Sequence, residues 1–202
     1  MCKLKSAIVL KDRIFMPDYD SHSEMLEELK IKDDYLGASR KFVRVELSPK
    51  DGDPFSDIDT WALTVDQDIR PEWFSEEECK PRLIEAVKEW AKTHIFIGVN
   101  GLKLNTGTNY YVKDCKDVEI CGSASVKACG SASVKAWGSA SVEACGSAIV
   151  FNSLYFTWKK QCTLILSENA SFKDNIGKVI YQAGDFKLVN VESGKAIGEI
   201  EK

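Results

Sequence analysis

From Cys121 to Val150 small apolar and polar positions alternate in a block that repeats every eight residues. Gly-Ser-Ala-Ser-Val begins at Gly122, Gly130 and Gly138, and an altered copy, Gly-Ser-Ala-Ile-Val, begins at Gly146. Within one copy, Ala124, Val126 and Ala128 alternate with Ser123, Ser125 and Lys127. That is the period of an extended strand, with the Ala/Val set turned inward and the Ser/Lys set outward. Eight residues of strand and turn cannot enclose an interior, so the pattern predicts two octads per coil, about 16 residues, with glycine at the corners where φ is positive. Each coil must then stack on its neighbours to bury its apolar face, as in any solenoid.

The last octad position is held in turn by Cys121, Cys129, Trp137 and Cys145. Two octads per coil place Cys129 and Cys145 on one edge, about 4.8 Å apart, and Cys121 with Trp137 on the other. The cysteines read as small apolar corner fillers, because a metal site calls for close pairs such as C-x-x-C. Trp137 interrupts a small-residue edge and is a candidate contact residue.

The register continues in degenerate form on both sides. Val118 precedes Val126 by one octad, and Asn169-Ala-Ser-Phe-Lys-Asp174 reads as a further rung with Phe172 in the valine place. Residues 176 to 191 read as a final hairpin or coil covering the sheet edge. The expected organisation is an α+β N-terminal domain (1–105), an octapeptide-repeat β-solenoid (106–175) and a C-terminal β cap (176–202).

Ahead of the repeats, Leu4–Leu10 and Arg13–Met16 read as a short hairpin or two strands around Lys11-Asp12. Ser21 is the N-cap of a helix, with Glu24 three residues on and Met25, Leu26 and Leu29 as its apolar stripe. His22, in the first turn of that helix, reads as a solvated residue. Phe42–Leu47 and Trp61–Val65 read as strands. The loop between them carries Asp51, Asp53, Asp57 and Asp59 but reads as a solvated turn. A calcium loop started at Asp51 would need Gly sixth and Glu twelfth, where Ser56 and Ala62 stand. Pro81 suits the first turn of a helix running to about Thr93, with Leu83, Val87, Trp90 and His94 on one face. Ile95-Phe-Ile-Gly follows as a buried strand.

Charge changes the picture in one place. Residues 1–105 hold 16 Lys/Arg against 21 Asp/Glu, a balance of −5, whereas residues 106–202 hold 11 against 10, a balance of +1. Six of those acids lie between Asp66 and Glu78, opposed by Arg70 alone and surrounding Trp73 and Phe74. The plainer reading is a charged lead-in to the helix with aromatic anchors. The sharper reading is a contact surface for a basic partner or a mimic of nucleic-acid charge, with Trp73, Phe74, Glu76, Glu77, Glu78 and Trp137 as its candidate residues. No basic run supports direct nucleic-acid or membrane binding. The apolar stretch near Met1 is too short for a signal peptide core, and seven cysteines without framework spacing fit a reducing cytoplasm. No catalytic motif is present, and no catalytic, cofactor-binding or metal residues are assigned.

The segments Cys2–Lys11, Met16–Leu29, Val65–Ile69 and Ala86–Ala91, followed by an octad array, resemble an uncharacterised family of phage and prophage proteins of gut bacteria. The resemblance implies a small protein of the host cytoplasm, from a class rich in inhibitors of host defence. The expectation is therefore an interaction module for a host protein and no enzyme. The alternative is a structural solenoid acting as a spacer or homo-oligomer.

Overall fold

A computed structural model describes residues 4–32, 41–105, 107, 109–136, 139–152, 163–166, 170–173, 179–182, 191–192 and 195–196. The chain forms two compact units, Met1–Thr93 and His94–Lys202.

The first unit is an antiparallel sheet with helical cover. Strands β1 (Lys5–Leu10) and β2 (Ile14–Phe15) are followed by helix α1 (His22–Glu28), β3 (Phe42–Ser48), β4 (Ala62–Val65) and helix α2 (Glu76–His94). The strand order is β2-β1-β3-β4. Cross-strand pairs Ile8↔Arg44, Ser6↔Glu46 and Glu46↔Thr64 set Ser6, Ile8, Phe42, Arg44, Glu46 and Thr64 on one face. Met25 and Leu26 of α1 pack there against Ile8 and Phe42. Lys5, Ala7 and Val9 alternate onto the other face, where Trp90 of α2 lies 5.2 Å from the Lys5 ammonium. The fully buried Lys5 is satisfied by the carbonyls of Pro17 (2.6 Å) and Tyr19 (3.3 Å) and by Asp20 Oδ1 (2.8 Å).

Ser21 caps α1 as its sequence suggests, its hydroxyl accepting from Glu24 N–H at 3.3 Å. Helix α2 starts earlier than Pro81 implies. Ser75 is its cap, its carbonyl accepting from Cys79 N–H at 3.0 Å, and Pro81 falls inside the helix. The three glutamates Glu76–Glu78 are therefore the first turn itself, where the helix dipole favours negative charge, and not a lead-in. Leu83, Val87, Trp90 and His94 are all buried, as their spacing requires.

The second unit is a β-solenoid. Its strands are β5 (Ile95–Ile97), β6 (Lys103–Leu104), β7 (Asn109–Lys113), β8 (Val118–Ile120), β9 (Ser125–Cys129), β10 (Ser133–Ala136), β11 (Ser141–Ala144) and β12 (Ile149–Asn152). After these come β13 (Thr163–Leu166), β14 (Ser171–Lys173), β15 (Val179–Gln182), β16 (Val191–Glu192) and β17 (Lys195–Ala196). Two facing sheets result, β13-β11-β9-β7-β5 and β15-β14-β12-β10-β8-β6. Parallel partners stand 16 residues apart, as in Ile95↔Tyr111, Tyr110↔Val126, Val126↔Val142, Val118↔Val134 and Val134↔Val150. Two octads thus make one coil, and about three coils span residues 95–151. The solenoid begins at Ile95, ahead of the readable octads, and that first strand is not fully buried: Ile97 is 56% exposed.

Ala124, Val126, Ala128, Ala132, Val134, Ala140, Val142, Ala144, Ala148 and Val150 form the interior. Burying a valine is worth roughly 1.5–3 kcal/mol and an alanine much less, so a single thin coil cannot hold itself and stacking supplies the stability. Outside, Lys127 pairs with Glu143 one coil on (3.3 Å), and Lys103 with Glu119 likewise (3.3 Å). The spacing widens to 22 at the next rung, Ser141↔Thr163 and Ile149↔Ser171, so the coil after β12 carries six more residues than its neighbours. Phe172 lies opposite Val150, in the valine place. The antiparallel β15 pairs with β14 at the end of its sheet.

One corner column shows what the glycines do. Gly98, Asp114, Gly130 and Gly146 follow one another at the coil period, and all have positive φ (67°, 55°, 64° and 67°). Asp114 Oδ1 accepts from both Ser131 N–H (2.8 Å) and Ser131 Oγ (3.0 Å), bonds that hold its carboxyl below the usual range. This carboxylate sits where a Gly130 side chain would go: a Cβ there would lie 2.3 Å from Asp114 Oδ1, whereas one at Gly98 would meet nothing within 4 Å. Gly98→Ala is expected to cost about 1 kcal/mol, the backbone term alone. Gly130→Ala should cost about 2–3 kcal/mol, because the carboxylate must also leave Ser131. Chemical denaturation of the two variants measures the difference, and equal costs would contradict the packed corner.

Candidate functional site

The acidic segment leaves β4 and ends in α2. Its carboxylates Asp66, Asp68, Glu72, Glu76, Glu77 and Glu78 are all exposed. Trp73 and Phe74 are half-buried, meeting edge to face with ring centroids 6.3 Å apart at 81°. They are neither core anchors nor fully presented. Arg70 pairs with Glu76. Sequence reasoning missed Ile69, which is 51% exposed in the middle of these acids. The segment therefore gathers Trp73, Phe74, Glu76, Glu77 and Glu78 on consecutive turns. Trp137 lies outside the described residues.

The aspartate-rich loop is a structured turn. Asp53 Oδ1 accepts from Phe55 N–H (3.0 Å), Asp57 Oδ1 from Asp59 N–H (3.1 Å), and Asp59 is paired with Lys88 (2.8 Å). These carboxylates hold the local backbone and α2.

His22 is not a solvated helix residue. Its side chain is 10% exposed, because α1 lies on the sheet and turns its first residue towards β3 and β4. The Val45 carbonyl, 3.1 Å from Nε2, can only accept, so Nε2 carries a hydrogen and Nδ1 faces the other way. Nδ1 lies 3.3 Å from Asp66 Oδ2. Glu46, from the middle of β3 and only 9% exposed, completes a group whose donor atoms all lie within 4.8 Å of one another. The three residues come from three elements with separations of 24 and 20 positions, which no linear motif describes.

The cysteine column gives a second correction. Cys129 and Cys145 stack with Cα atoms 4.8 Å apart, the expected spacing, but they are joined by a disulfide and are not merely corner fillers. Cys79 and Cys115 are buried free thiols, and Cys121 is a half-buried one. Burial raises the Cys79 thiol above its ordinary range. Among the described residues no helix is long and apolar enough to cross a membrane. Comparison with protein-family models, with curated proteins and with solved structures finds no match for this chain.

Proposed function

We propose that this chain is a protein–protein interaction module, a phage product that binds and blocks a host defence or nucleic-acid-handling protein. The observation that supports this best is Ile69, 51% exposed and bracketed by carboxylates from Asp66 to Glu78. An exposed apolar side chain in a segment of six acids and a single arginine, Arg70, itself paired with Glu76, suits a basic partner surface with an apolar centre. The half-buried pair Trp73 and Phe74 adds the aromatic area that tends to carry binding energy. Glu76, Glu77 and Glu78 stand in the first turn of α2, where the helix dipole favours negative charge, so these three acids are presented on a helix.

Affinity capture of the tagged chain from host lysate at low and at high salt tests the reading. A single basic or nucleic-acid-handling protein should be retained at low salt and released at high salt. Reversing the charge at Glu76, Glu77 and Glu78 together should weaken capture by about tenfold or more. A second reading has its own observation: Ile97 and Val99, at the start of the solenoid, are 56% and 40% exposed. They suit a structural solenoid that stacks on a further copy. Recovery of only the bait, as a defined oligomer indifferent to salt, would support that alternative and sink the first.

A further inference from the structure

From the N-terminal unit we infer a divalent transition-metal site formed by His22 Nδ1, Glu46 and Asp66. Three separate observations converge on it. First, the Val45 carbonyl accepts the Nε2 hydrogen of His22, which turns Nδ1 towards Asp66 Oδ2. A ligating histidine commonly has its second nitrogen held by a carbonyl in this way, which orients the ring. Facing Asp66 at 3.3 Å, Nδ1 must have either a proton or a metal ion between itself and the carboxylate. That separation also equals the edge of a tetrahedron with bonds of about 2.05 Å, roughly 3.3 Å.

Second, Glu46 is 9% exposed and brings its carboxylate within 4.8 Å of both His22 and Asp66, so two carboxylates share one place beside a single imidazole. A carboxylate in that position is costly without a counter-charge. Its nearest basic neighbour along the strand, Arg44, has its guanidinium 5.2 Å over the ring of Phe42. Third, the buried hydroxyl of Ser6 lies opposite Glu46 in the sheet register and has no hydrogen-bond partner among the described residues. It is a ready outer support for a ligating carboxylate.

One imidazole nitrogen and two carboxylates suit Zn²⁺, Mn²⁺, Fe²⁺ or Co²⁺. Three protein ligands leave a coordination position free, as in exchange-competent sites and unlike closed four-ligand structural ones. Asp66, with a side chain 58% exposed, sets that position towards solvent. The ion would pin α1 to β3 and to the end of β4 while offering a place for water or an anionic group. This inference stands apart from the interaction reading, since it uses neither Ile69 nor the aromatic pair.

The test titrates the chelator-stripped full chain with Co²⁺, read by visible absorption, and with Zn²⁺, read by melting temperature. One Co²⁺ per chain with d–d bands is expected, and Zn²⁺ should raise the melting temperature by several degrees. Glu46→Gln and Asp66→Asn should each lower the affinity by roughly tenfold or more. Metal-free Glu46→Gln should melt at or above the wild-type temperature because a buried charge has gone, so loss of binding in that variant is not loss of fold. No stoichiometric uptake, or uptake unchanged in both variants, overturns the site and leaves His22 and Asp66 as an ion pair.

Discussion

Deleting Gly122–Trp137, 16 residues, is expected to leave a folded chain, whereas deleting only Gly122–Cys129 should unseat everything beyond the repeats. The longer cut removes one whole coil, so each remaining strand keeps its sheet. Tyr110 would face Val142 in place of Val126, and Val118 would face Val150 in place of Val134. Asp114 would meet Gly146 and Ser147 where it now meets Gly130 and Ser131, with the same residue types to accept its carboxylate. The shorter cut moves every later strand to the opposite sheet. Near-identical octads absorb this up to Ala148, but the longer connection after β12 and the closing pair β14–β15 do not. Both deletions belong on a Cys145→Ser background, so that loss of the bridge does not enter. Melting temperature and hydrogen exchange in β13, β14 and β15 are the measurements. The longer deletion should lose one coil's share of stability with protection kept, and the shorter should lose the protection itself. Equal tolerance of both would sink the 16-residue coil.

The solenoid was legible because its physics is local. Alternation of Ala/Val with Ser/Lys assigns the faces, and a period of eight with too little chain per octad forces two octads per coil. Its first coil was not legible, because Phe96, Leu104 and Tyr110 stand where the later copies have Ala or Val, and Lys113 and Asp114 where they have Cys and Gly. The start of α2 was misread for a physical reason as well. Pro81 is at home in a first turn, yet Ser75 and three dipole-matched glutamates began the helix sooner, and the helix tolerates the missing N–H. The acidic segment could be found from charge alone, but the exposure of Ile69 depends on tertiary packing. The group of His22, Glu46 and Asp66 was invisible because antiparallel register, and not spacing along the chain, brings it together.

Reduction of the Cys129–Cys145 bridge is expected to lower stability by about 3 kcal/mol, the chain-entropy value for a loop of roughly this length. The stack alone was readable from the octad period. The bond was not, because an odd cysteine count without framework spacing argues for free thiols. Once coils stack, however, identical positions in successive copies must face each other at one strand spacing, which lies within the Cα range a disulfide spans. The bridge then ties two adjacent coils at the corner where Gly130 and Gly146 turn the chain. Its effect should fall on the unfolded state, because the coils already align the two cysteines. Wild type should lose on the order of 10 °C in melting temperature when reductant is added. Cys145→Ser should melt at the reduced wild-type temperature and ignore reductant, while Cys121→Ser should respond to reductant as the wild type does. A wild type indifferent to reductant would mean that the two sulfurs stack without bonding. The corner would then be held by the Asp114–Ser131 contacts and the glycine turns alone.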